Sequence, residues 1–145
     1  MAPVALTDVD QHRMQGLLAQ LEGSTVGNAR LSPLGGSWIT IELGRSLLFV
    51  EMAAWRLEGS TEFLVACEDD RDRIRGLITE LDGRTLESIQ VSRHLDLVLT
   101  FEGLLLLLFV CTGADGEFQH WSIQFDTGQT LFAGPGHSWT LSGPS

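Results

Sequence analysis

The sequence predicts an α+β fold: two tandem helix-then-antiparallel-meander repeats forming one pseudo-two-fold domain, with a mainly antiparallel sheet or sandwich. Three observations predict it. The segment Gly16-Leu17-Leu18-Ala19-Gln20-Leu21-Glu22-Gly23 returns as Gly76-Leu77-Ile78-Thr79-Glu80-Leu81-Asp82-Gly83, an offset of 76 − 16 = 60, and self-similarity at a fixed spacing is the mark of a repeated supersecondary unit. Each copy of the segment carries apolar residues at helical spacing. Behind each copy, apolar and polar residues alternate with a period of two, as in a strand buried on one face.

The helices come first. Met14, Leu17, Leu18 and Leu21 fall at i, i+3, i+4 and i+7, as do Ile74, Leu77, Ile78 and Leu81, so each set forms one apolar stripe. Thr7 with Asp10 resembles a capping pair for the first helix, while Glu68, Asp69 and Asp70 bring negative charge to the positive end of the second. Gly23 and Gly83 stand where a left-handed C-terminal cap is expected. Gly16 and Gly76 lie inside the helices, where glycine costs about 1 kcal/mol relative to alanine; a close approach of the two helix backbones is expected there, with an exposed glycine inherited by duplication as the alternative.

Strands follow. Ile39, Ile41 and Leu43 alternate with Trp38, Thr40 and Glu42, and Leu97, Leu99 and Phe101 alternate with Val98, Thr100 and Glu102. Each set runs through a glycine-bearing turn into a second apolar stretch, so each unit contains a hairpin. The offset of 60 carries on to Leu47-Leu48-Phe49-Val50 against Leu107-Leu108-Phe109-Val110, and Trp55-Arg56-Leu57 resembles Trp121-Ser122-Ile123 beyond an inserted acidic, Gly-rich loop at 111–120. The repeats therefore span approximately 8–67 and 68–139 of a single domain, 1–145. The run 104–110, opening on Leu104 and closing on Val110, has no polar alternation, so its strand should be covered on both faces, either within the monomer or in a homodimer interface.

Composition narrows the function. Hydrophobic residues make up 43% of 145 and charged residues 19%, enough apolar surface for a folded core. Nine Lys+Arg against 19 Asp+Glu give a net charge of −10, which disfavours nucleic acid and anionic membrane surfaces as partners and suits a basic protein partner. Two cysteines, Cys67 and Cys111, make no disulfide framework and read as small buried thiols, and no secretory signal or membrane-length apolar run is present, so a cytoplasmic protein is expected.

No catalytic residue, metal site or cofactor is predicted. His12, His94, His120 and His137 lack the close spacing of a metal motif. Cys111, His120 and Asp115 lie in one loop without the strand-turn-helix context that activates a nucleophile, and Glu42 and Glu102 sit on the solvent side of their strands. Among the tryptophans, Trp55 and Trp121 occupy matching positions and read as core. Trp38 opposes the core face of its strand and Trp139 lies in the tail, which makes these two the candidates for binding. With them the inserted loop contributes Asp115, Glu117 and His120 as candidate binding residues.

With Leu-x-Gly closing each helix, the Trp55-Arg56-Leu57 strand and the His120-Trp121 strand, the chain resembles a group of small bacterial proteins of no known activity built on a duplicated helix plus β-meander unit. That resemblance implies a fold and carries over no catalytic residue. The expected function is a non-enzymatic protein-binding or inhibitory module of the immunity type, motivated by the acidic charge and the missing catalytic set. A small-ligand-binding domain with a pocket between the repeats, lined by Trp38, is the alternative.

Overall fold

Thr7 starts the first helix, α1 (Asp8–Ala19): its hydroxyl accepts the amide of Asp10 at 3.0 Å, satisfying one of the donors a helix start leaves open. Asp70 does the same for the amide of Asp72 at the start of α2 (Arg71–Leu77), which tightens into a 3-10 turn over Ile78–Leu81. Gly23 and Gly83 follow with φ of 90° and 80°, in the left-handed region that glycine enters without a steric penalty. The computed structural model describes residues 5–33, 35–111 and 117–143. Met14, Leu18, Leu21, Ile74, Ile78 and Leu81 are buried, so both helical stripes face the core.

Among the described residues eleven strands form two antiparallel sheets. After α1 come β1 (Val26–Leu31), β2 (Ile39–Leu43), β3 (Ser46–Val50), β4 (Ala54–Gly59) and β5 (Phe63–Ala66). After α2 come β6 (Leu86–Val91), β7 (Leu97–Phe101), β8 (Leu104–Phe109), β9 (Trp121–Gln124), β10 (Thr130–Ala133) and β11 (Trp139–Ser142). The six-stranded sheet runs β1-β2-β3-β9-β10-β11 and the five-stranded sheet β5-β4-β8-β7-β6. Each sheet thus joins three strands from one half of the chain to strands from the other. The joints are β3 with β9, where Val50 faces Trp121, and β8 with β4, where Leu108 faces Trp55.

The two edge strands β1 and β6 meet where they begin. Thr25 bridges Thr85, the Gly23 and Gly83 amides donate to Leu86 O and Val26 O, and the Val26 and Leu86 amides donate to Arg84 O and Ser24 O, all four bonds at 2.8 Å. Inward residues of both sheets then make one core with the helical stripes, Trp55 and Trp121 among the largest side chains in it. Each indole donates its N–H at 2.8 Å to a loop carbonyl, Trp55 to Ser37 O and Trp121 to Leu95 O, so these buried polar atoms are satisfied.

Three expectations change. The hairpin turns sit at Gly44 with Arg45 and at Glu102 with Gly103, 102 − 44 = 58 residues apart rather than 60, because the loop before β7 is two residues shorter than the loop before β2. Gly16 and Gly76 are exposed, and a Cβ on either would meet nothing within 4 Å, so no helix backbone approaches them. Strand β8 is central in its sheet, yet within the monomer only one face is covered: Leu104, Leu106 and Leu108 are buried while Leu105 and Leu107 are half-buried and Phe109 is exposed.

Candidate binding site

Trp38 is carried by the β1–β2 loop, which two side chains hold from below. Arg71 of α2 donates to the carbonyls of Gly36 and, at 2.8 Å, Ser32, and the buried Trp55 indole fixes Ser37 O. The loop can turn this tightly because Gly35 and Gly36 take φ of 107° and 69°. Ile39 enters the core, so strand alternation turns the half-buried Trp38 to the outer face of the six-stranded sheet. Continuing the rungs Ile39–Val50 and Thr40–Phe49 brings Glu51 opposite it.

Around Trp38 the outer face is aromatic and acidic. Phe118, 49% exposed, meets the indole edge-on with ring centroids 6.3 Å apart, a geometry in which the positive edge of one ring faces the negative face of the other. Phe49 shares a rung with Thr40 and Ser122, and Ser122 with Phe132. Two shallow clefts flank the tryptophan. One, about 230 Å³, lies between Ser32, Trp38, Thr40, Phe49 and Glu51; the other, about 270 Å³, runs from Trp38 past Glu51 and Met52 to Cys67, Glu68 and Cys111. Glu51 belongs to both.

No family model, curated protein or solved structure matches the chain. What the site can do rests on its own side chains. Glu51 is the telling one: partial burial beside Trp38 raises its carboxyl above the ordinary glutamate value, since desolvation disfavours the charged form. Among the described residues no cation lies within salt-bridge distance of it. An anion held this way next to two aromatic rings suits a guanidinium or ammonium group, which gains both the ion pair and a ring face.

The residues expected from sequence divide. Trp38 is at the centre of the site, and Glu117 is exposed beside Phe118. Asp115 lies outside the described residues. His120 is a correction: it is fully buried, its Nε2 is 2.8 Å from Gly136 O, and Gly134 sits against its ring, so it supports the β10–β11 loop from inside. Trp139 is half-buried at the start of β11, with the Arg13 guanidinium 5.5 Å from its ring centroid, which engages it with α1.

Other groups weighed for chemistry do not assemble. Cys111 is exposed rather than buried and donates its S–H to Met52 O at 2.9 Å, while Cys67 accepts from Trp55 N at 3.4 Å. His120 is buried with its Nε2 at Gly136 O. His94 Nδ1 and His137 Nε2 lie 3.0 Å apart, a contact between two loops 43 positions apart in sequence, yet no three His, Cys, Asp or Glu side chains among the described residues are placed to hold a metal ion. No helix among them is long and apolar enough to cross a membrane. Sequence reasoning missed Phe118 and Glu51: the first lies in a segment read as plain loop, the second at the end of an apolar strand.

Proposed function

We propose that this chain is a non-enzymatic protein-binding module of the inhibitory, immunity type, which docks a basic partner on the outer face of the six-stranded sheet around Trp38. The observation that carries the reading is the edge-on pair of Trp38 and Phe118 beside the partly desolvated, uncompensated Glu51. Aromatic anchors with a charge at their margin are what binding hot spots are made of, and a net charge of −10 steers a cationic surface toward them. Clefts of about 230 and 270 Å³ fall below the roughly 300–1,000 Å³ of pockets that enclose small ligands. The clefts at Trp38 fit single side chains of a docked protein better than an enclosed free molecule.

The test is affinity capture, at low salt, from lysate of the organism that encodes the chain, with wild type, Trp38→Ala and Glu51→Lys as baits. A basic protein retained by wild type, released by salt and lost with both variants is the expected result. Retention that is indifferent to both substitutions would remove this surface from consideration, and recovery of no basic protein would remove the function.

We also infer that the single domain, 1–145, consists of two tandem repeats, approximately 8–67 and 68–139, about a pseudo-two-fold axis near the Thr25–Thr85 bridge. Support comes from the reciprocal bonds there: Gly23 to Leu86 is answered by Gly83 to Val26, each partner displaced by 60. The matched joints of β3 with β9 and β8 with β4, each opposing a buried tryptophan to the end of a hairpin, support it too. Both thiols are free, which suits a reducing cytoplasm as the place of action.

A further inference from the structure

The outer face of the five-stranded sheet sets Val98, Leu105, Leu107 and Phe63 among polar side chains, and among the described residues no helix packs on its central strands. Helix α1 lies on β6, and α2 lies on β5 and β1, which leaves the outward side chains of β7, β8 and β4 half-exposed. Their rungs can be read across the sheet. One runs Gln90, Val98, Leu107, Arg56, Ala66, and the next runs Ser88, Thr100, Leu105, Glu58, Phe63. Phe109, 41% exposed, lies beyond them with the Arg56 guanidinium 5.9 Å from its ring. Five strands at about 4.8 Å spacing and five residues at about 3.3 Å rise give a face of roughly 20 by 17 Å, the size of the largest surface patch on a typical monomer, which is often functional.

We propose that a second copy of this chain covers this face. Charge selects that occupant. The molecule carries −10, so two copies repel over most approaches, but the two rungs hold one cation and one anion, Arg56 and Glu58, paired at 2.6 Å, and sum to zero. A symmetric dimer must be self-complementary. A two-fold axis between the copies, crossing β4 midway between the rungs, sets Arg56 of each copy against Glu58 of the other and Leu105 against Leu107. The edge of the face carries a second, exposed carboxylate, Glu87, but Glu58 at its centre is already neutralised by Arg56, so a strongly basic partner fits the Trp38 surface on the other sheet better.

Sedimentation of the full chain across the micromolar range tests this. A species of twice 15.9 kDa is expected for wild type. Leu107→Glu and Phe109→Lys should each shift it to monomer with an unchanged far-ultraviolet circular dichroism spectrum, the latter at an already exposed position where folding is safe. Arg56→Glu should weaken the dimer, and Arg56→Glu combined with Glu58→Arg should restore it. A wild type that stays monomeric at every concentration overturns the proposal, as does a dimer that survives both Leu107→Glu and Phe109→Lys. Trp38→Ala should leave the dimer intact, so this outcome and that of the capture experiment are read independently.

Discussion

Gln15 of α1 stands beside Val91 where another strand would otherwise pair: its side-chain oxygen accepts the Val91 amide at 2.9 Å while its nitrogen donates to Ile89 O at 2.6 Å. Neighbouring side chains complete the series. Gln11 donates to Val91 O at 3.1 Å, Glu22 accepts from Ile89 N at 3.3 Å, and the amide of Leu6 donates to Arg93 O at 2.8 Å. On β1 the amide of Ala29 is accepted by Asp82 at 2.8 Å. Edge strands expose a template for unwanted pairing, and here a helix satisfies that template with side chains.

Removing Gln15 should therefore cost more than a surface substitution. Gln15→Ala leaves a half-buried N–H and C=O of β6 without partners, a loss of about 1–3 kcal/mol. Urea denaturation should report it as a lower midpoint at unchanged slope. A midpoint equal to wild type would mean that water serves the edge equally well.

Glycines that look alike in sequence should respond in opposite ways. At Gly134, φ is 94° and a Cβ would sit 2.7 Å from the buried His120 ring. Gly134→Ala thus combines backbone strain with overpacking, about 1–3 kcal/mol for each. Gly16 is helical, exposed and open on all sides, so Gly16→Ala should stabilise by about 0.5–1 kcal/mol. Thermal melts of the two variants should move in opposite directions, by about 2–4 °C per kcal/mol for a chain near this size. A Gly16→Ala variant that melts below wild type would show that the glycine meets something beyond this chain.

How far such features were legible in the sequence depends on what a pattern encodes. Helical spacing of Met14, Leu18 and Leu21 specified both the element and its buried face, and alternation at Ile39, Ile41 and Leu43 did the same for β2. Alternation names a face and not a neighbour, so nothing in it revealed that β3 pairs with β9 or β8 with β4. It is also blind to an even slip. The shift from 60 to 58 between the hairpins keeps every inward residue inward, which is why an ungapped offset looked continuous. Phe118 was hidden for another reason: it meets Trp38 across 80 positions, and a lone aromatic in a polar loop carries no periodicity. The same loop misled about His120, whose burial comes from Gly134 and Gly136 folding over it.

Glu51 offers a test that depends on pH. Burial raises its carboxyl above the ordinary value, so the folded chain holds this proton more tightly than the unfolded one. The stabilisation that follows is fully present below the unfolded value, about pH 4.3, and is lost as pH rises through the folded value. At neutral pH the charged Glu51 is thus a small burden on the fold. Glu51→Gln should melt above wild type at pH 7, with the difference closing as the pH falls toward 4. An offset constant across that range would point to a packing effect instead. Occupation by a cation should reverse the shift: with a basic partner bound, Glu51 should release its proton at lower pH than in the free chain. Carbon-13 shifts of the Glu51 carboxyl, followed through a titration of the free and bound chain, should show that movement, and a titration unaltered by the partner would place the contact elsewhere.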